Sequence, residues 1–199
     1  MFSIRGCPLL LSLFMIASNV FASQPAQISV WSVDSLTKVF PTDRSGTHAV
    51  VSEFWEARAQ HLSIQFAIRS TKELKNLSAE VNLENARTHV REGVTVRQVG
   101  YVVVGSHTDD TPADELIGEA PGWYPDPLWN LPMDLERNRT YSLWVTVAVP
   151  PDATSGLYRG TLLLRAGKRS LAHREFRVHV LPAKVPSERT LKITNWFSE

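Results

Sequence analysis

From Tyr141 to Val149 the chain alternates: Tyr141, Leu143, Val145, Val147 and Val149 stand against Ser142, Trp144, Thr146 and Ala148. Side chains on a strand point to opposite faces in turn, so this run predicts a half-buried β-strand. Pro150, Pro151, Asp152 and Gly156 then break the pattern and predict a tight reversal. A second strand spans Leu157 to Arg165, with Tyr158, Leu162 and Leu164 on one face and Arg159, Thr161, Leu163 and Arg165 on the other. After the turn Ala166-Gly167-Lys168, Phe176, Val178 and Val180 interleave with Glu175, Arg177 and His179 in a third strand, which Pro182 is expected to stop because it cannot donate to a ladder. Together the three predict an antiparallel meander.

Upstream, Ile28, Val30 and Val33 open the domain as a strand, and the polar run from Asp43 to Gly46 signals a turn. Leu62, Ile64, Phe66 and Ile68 alternate strictly with Ser63, Gln65, Ala67 and Arg69, another strand. Glu53 to Gln60 is ambiguous, since its composition favours helix while its surroundings favour β. Leu77, Ala79, Val81 and Leu83 alternate with Ser78, Glu80, Asn82 and Glu84, and Val94 to Val104 is a β-branched run in which Gly100 marks a bulge or bend. Gly105 to Glu136 reads as one long irregular region. Some eight strands with scarcely any helix predict an all-β domain, a two-sheet antiparallel β-sandwich over residues 23–184.

The ends have a different character. Arg5, the apolar run Leu9 to Ala17 and the small residues of Val20-Phe21-Ala22 form the pattern of a secretory signal peptide over residues 1–22, too short in its apolar part for a bilayer span. Export to the periplasm or the cell exterior is expected, with no membrane span once the signal is cleaved. The single cysteine, Cys7, lies inside that signal, so the mature domain relies on its core rather than on disulfides. After Pro182 the chain changes character, and residues 185–190, which include Pro186, read as a linker. Leu191, Ile193, Trp196 and Phe197 then start a new apolar run, read as the first strand of a further domain over 191–199.

Charge excludes one class of partner. Arg5 is one of 21 basic residues, so the mature chain balances its 20 acidic ones, and the basic residues are scattered. Nucleic acid is therefore not an expected partner. His173 and His179 are six apart on one strand, about 20 Å, too far to chelate one ion. Asp109, Asp110, Asp114 and Glu115 lie on a polar stretch without the spacing of a calcium loop, which favours hydrated acids over a metal site or a catalytic pair. No metal and no cofactor is expected. Asn76-Leu77-Ser78 and Asn138-Arg139-Thr140 match the acceptor pattern for N-glycosylation. The sharpest signal is Trp123-Tyr124-Pro125-Asp126-Pro127-Leu128-Trp129. Trp123, Tyr124, Asp126 and Trp129 are candidates for binding carbohydrate, since aromatic faces stack on sugar rings, or for packing at a domain junction.

Several short motifs carry a family resemblance: Glu53 to Arg69, the step Val99-Gly100-Tyr101-Val102, the Trp123 to Leu128 segment, Leu143 to Pro150 with Gly156-Leu157-Tyr158-Arg159-Gly160, and the exit Val180-Leu181-Pro182. They resemble the N-terminal β-sandwich of glycoside hydrolase family 123-like proteins, over most of 48–199. The resemblance implies a parent in which the sandwich precedes a (β/α)8 barrel. It also implies β-N-acetylgalactosaminidase chemistry, with the substrate's acetamido group as nucleophile and an Asp-Glu pair assisting, beyond Glu199. No catalytic residue is carried over onto this chain. The expected function is a non-catalytic sandwich packing on its own C-terminal barrel; the alternative is a carbohydrate-binding or adhesive module with a glycan as partner.

Overall fold

The computed structural model describes residues 27–85, 89–90 and 93–188. The predicted signal peptide with Cys7, and the run 191–199, lie outside the described residues. Eleven strands make up the rest: β1 (Ile28–Val33), β2 (Glu53–Arg58), β3 (Gln60–Ser70), β4 (Leu74–Glu84), β5 (His89–Val90), β6 (Val94–Val104), β7 (Gly122–Asn130), β8 (Met133–Leu135), β9 (Thr140–Val149), β10 (Gly156–Ala166) and β11 (Arg169–Lys184). The first sheet runs β1-β3-β9-β6-β7; the second runs β2-β11-β10-β4-β5, with β8 paired to β4. No helix occurs among the described residues, and the fold is the expected two-sheet sandwich.

Alternation assigned the inward faces correctly. Leu62, Ile64, Phe66 and Ile68 of β3 and Leu143, Val145, Val147 and Val149 of β9 meet Leu77, Val81 and Leu83 of β4, Leu162 and Leu164 of β10, and Phe176, Val178 and Val180 of β11 in one buried cluster. Burying a side chain of this size contributes roughly 1.5–3 kcal/mol, which is why residues two apart are apolar along every central strand. Phe176 also fills the space left by Gly160 opposite it, where a Cβ would come within 2.3 Å of the ring.

Four local expectations are corrected. The strands β9, β10 and β11 do not form a meander: β9 lies between β3 and β6 in the first sheet, and Pro150 to Ser155 carries the chain across to the second, where only β10 and β11 form a hairpin. Glu53–Arg58 is strand, and its partner is the distant β11, in parallel, so the sandwich is not wholly antiparallel. Pro182 does not end β11. Pairing with β10 stops at Val180, and the proline falls in the register irregularity toward β2, where its missing donor leaves no ladder bond unmade. The irregular region is confined to 105–121, because Gly122–Asn130 pairs with β6 and Met133–Leu135 with β4. Gly100 does sit at a register shift between β6 and β7.

The outer face of the first sheet has its own cover. Trp31 and Val33 of β1, with Ala67 of β3, are buried against Val39 from the strap 34–52 that joins β1 to β2. Polar side chains hold the strap down. Gln65 Nε2 donates to the Thr37 carbonyl at 3.0 Å, Thr140 Oγ1 donates to the Asp43 carbonyl at 2.6 Å, and Arg69 Nη1 lies 3.0 Å from Thr140 Oγ1. The Asp43 carboxylate accepts from the Phe40 amide at 2.8 Å and contacts His48 Nε2 at the same distance. The Tyr101 hydroxyl reaches the Val39 and Thr140 carbonyls, each at 3.1 Å, and its one proton serves them in turn.

Burial, the largest cause, pushes the Tyr101 phenol well above its ordinary pKa; Arg139 opposes this, while Asp43 and Tyr141 add to it. A raised folded value stabilises the protein fully below the unfolded value of about 10 and loses that contribution as pH climbs toward the folded one. Tyr101→Phe is therefore expected to cost about 1–2 kcal/mol at neutral pH and to flatten the fall of melting temperature above pH 10. Thermal melts of both proteins between pH 7 and 11 check this, and superimposable alkaline profiles would contradict it.

Candidate functional site

The four residues singled out in the sequence lie on β7, the edge strand of the first sheet. Prolines at 125 and 127 are compatible with strand there because an edge has one unpaired side. Trp123 pairs with Val103 and Trp129 with Gln98, so the indoles stand at opposite ends of the strand, about 20 Å apart at the usual rise, and do not form one flat platform.

Each ring has a local contact. Trp129 lies over Gly100, where a Cβ would come within 2.8 Å of the indole and 2.9 Å of Pro127. Tyr124 meets Phe40 of the strap edge-on at 5.4 Å and His107 at 6.4 Å, and its hydroxyl and the Phe40 ring close on Gly118, whose φ of +80° favours glycine. Trp123 takes the Arg139 guanidinium at 5.4 Å, which also sits 5.7 Å from the Tyr101 and Tyr141 rings, within cation–π range. Arg139 Nη1 is 3.4 Å from Glu136 Oε2. Asp126 is exposed. Trp123 and Trp129 keep about half their surface open, at 49% and 50%.

A second aromatic site was not legible. On the outer face of the second sheet, Trp55 of β2 stands in register with His179 of β11, and the rings stack 4.9 Å apart at 7°. Glu53, two residue pairs along and on the same face, accepts from Arg177 Nη1 at 2.6 Å on one oxygen and lies 3.3 Å from His179 Nε2 on the other. The Arg177 hydrogen bond, the largest cause, holds the Glu53 carboxyl below its ordinary range against a smaller opposing effect of desolvation. Next to Arg177, a groove of about 580 Å³ is lined by Ser52, Leu157, Arg159, Thr161 and Glu175. In the sequence Trp55 is one of an apolar set with Val51 and Phe54, in a stretch whose type the residues leave open, and assigning its face needs the strand first.

The acids Asp109, Asp110, Asp114 and Glu115 are exposed on the 105–121 segment. Among the described residues no group of three or more His, Cys, Asp or Glu is placed to hold a metal ion, and no helix is long and apolar enough to cross a membrane.

Residues 41–166 match the family described as the glycoside hydrolase 123 N-terminal domain. Among solved structures, a family 123 glycoside hydrolase from Clostridium perfringens, studied for glycolipid glycan hydrolysis, aligns with 80% of this chain at TM-score 0.62 and 14% identity. The aligned part is 28% of that protein's chain, so this chain spans little more than a quarter of its length. AvmM, a macrocyclization catalyst of alchivemycin A biosynthesis, aligns over 81% of this chain and 91% of its own at TM-score 0.41 and 10% identity. A search of curated proteins gave no match.

The Trp129 contact makes a direct prediction. Trp129→Ala is expected to cost roughly 1–2 kcal/mol through lost packing on Gly100, and Gly100→Ala about 1–3 kcal/mol through collision with the indole. In the double variant the collision with the indole is gone and only the one with Pro127 remains, so the sum of the single effects should overshoot. Urea denaturation of the four proteins measures the coupling; strict additivity would show that the ring does not rest on Gly100.

Proposed function

The chain belongs to the glycoside hydrolase 123 N-terminal domain family, and on that premise we propose that it is the non-catalytic amino-terminal sandwich of an exported glycoside hydrolase acting on N-acetylgalactosaminide-type substrates. The match of residues 41–166 to a domain defined by its amino-terminal position carries this reading. Support comes from the family 123 hydrolase of C. perfringens, in which the comparable fold is 28% of a longer chain. In this reading the sandwich packs against a (β/α)8 barrel beginning near residue 191, and the barrel supplies the Asp-Glu pair. The sandwich contributes a rigid scaffold of two sheets. Residues 1–22 direct export, and Ser23 begins the mature protein.

A second reading, a carbohydrate-binding or adhesive module in its own right, draws on the half-open indoles of Trp123 and Trp129. The readings separate on substitution. Alanine at either position weakens glycan retention with the melting temperature intact if the rings bind sugar, and lowers the melting temperature with retention unchanged if they pack.

Purified residues 23–199 are expected to release no aryl alcohol from an aryl β-N-acetylgalactosaminide above the uncatalysed rate, and exported protein to have the mass of a chain starting at Ser23. Turnover by the purified chain would place catalytic groups within it and overturn the proposal.

A further inference from the structure

The outer face of the second sheet presents a feature that neither a buried core nor a scaffold requires. Trp55 is 57% exposed on the edge strand β2, although the same sheet buries its other large rings. One face of its indole is covered by the His179 imidazole at 4.9 Å, while more than half of the residue's surface stays open to solvent. Stacking holds the ring flat, so it presents a fixed apolar plane at small entropic cost.

Hydrogen-bonding groups flank this plane in a fixed array. Glu53 is clamped by Arg177 on one oxygen and faces His179 on the other, yet each carboxylate oxygen has further lone pairs. Arg177 spends one N–H on Glu53 and is itself exposed, which leaves other guanidinium donors. The polar groove of about 580 Å³ starts at Arg177 and continues past Arg159, Thr161 and Glu175. Its volume lies within the range of small-ligand sites, and its lining is richer in hydroxyl, carboxylate and guanidinium groups than an apolar ligand would select.

A planar ring beside an ionised carboxylate and a guanidinium matches the two-sided chemistry of a pyranose, which has a face of C–H groups and a rim of hydroxyls. We propose that Trp55, with Glu53 and Arg177, is a carbohydrate-binding site. One hexopyranose ring stacks on the side of the exposed indole away from His179, its hydroxyls donating to Glu53 and accepting from Arg177, and the next ring of the glycan occupies the groove toward Thr161 and Glu175. The site is remote in the fold from β7, since it lies on the other sheet, and it does not depend on which barrel or which glycosidic bond the parent protein has.

Affinity electrophoresis tests this on the protein with residues 23–199, in gels carrying mucin O-glycans, arabinogalactan or xyloglucan. Retardation by at least one of the three is expected. Trp55→Ala should weaken the apparent Kd at least about tenfold, equivalent to the loss of some 1.4 kcal/mol. Trp55→Phe keeps a smaller ring and should fall between the two, and Glu53→Gln should weaken binding several-fold. All three variants are expected to keep the parent's melting temperature within a few degrees, because the ring is exposed. Absence of retardation of the parent in every gel overturns the proposal. So does equal retardation of Trp55→Ala and parent; together with a lowered melting temperature, that result assigns the indole to a protein contact instead.

Discussion

Two apolar faces that must be hidden from water govern this molecule. Each sheet is greasy on one side, and neither is stable alone, so the sheets close on each other and the chain must cross between them repeatedly. That requirement explains the connections. Thr71 to Glu73 carries the chain from β3 in the first sheet to β4 in the second, and Pro150 to Ser155 does the same after β9. It also explains the strap. The first sheet has a second apolar patch, on its outer side, at Trp31, Val33 and Ala67, and Val39 comes over to bury it. Polar groups of Gln65, Arg69, Tyr101 and Thr140 then satisfy the strap's backbone carbonyls, which would otherwise be dehydrated without partners.

Alternation in the sequence reveals which side of a strand faces inward, and it did so for β3, β4, β9, β10 and β11. It contains no information on which sheet receives the strand. A period of two is the same whether β10 folds back on β9 or crosses to β4, so the meander was the natural reading and the crossing was invisible. The parallel partnership of β2 and β11 is more hidden still, because the partners are more than a hundred residues apart and β2 alone is a six-residue segment of mixed propensity. Prolines misled in one direction. At 125, 127 and 182 they suggested loops and stops, yet an edge strand and a gap in pairing both accommodate a residue with no N–H.

The candidate site was legible only in part, for a related reason. Trp123, Tyr124 and Trp129 cluster in sequence, and clustering suggested a common surface. On a strand, however, neighbours in sequence diverge in space, and each ring found its own partner in Arg139, Phe40 or Gly100. The set around Trp55 arises in the reverse way. Glu53 and Trp55 come from one end of the domain and Arg177 and His179 from the other, and the parallel register of β2 on β11 places them side by side. Such a constellation exists only in the folded chain.

Position on regular strands also gives that constellation its chemical character. Ladder hydrogen bonds fix the backbones of Glu53, Trp55, Arg177 and His179, so the side chains start from defined directions and need little further ordering. The electrostatics are settled in advance as well. Glu53 is an ordinary ionised carboxylate at neutral pH, and the Arg177 hydrogen bond lowers its pKa further; such a carboxylate accepts hydrogen bonds without donating any. Folding stability gained in this way is present above the ordinary glutamate value and disappears as pH falls through the lowered one. Across the neutral and mildly acidic range the carboxylate therefore remains a pure acceptor beside a pure donor, the complementary pair that hydroxyl groups, which both donate and accept, can bridge.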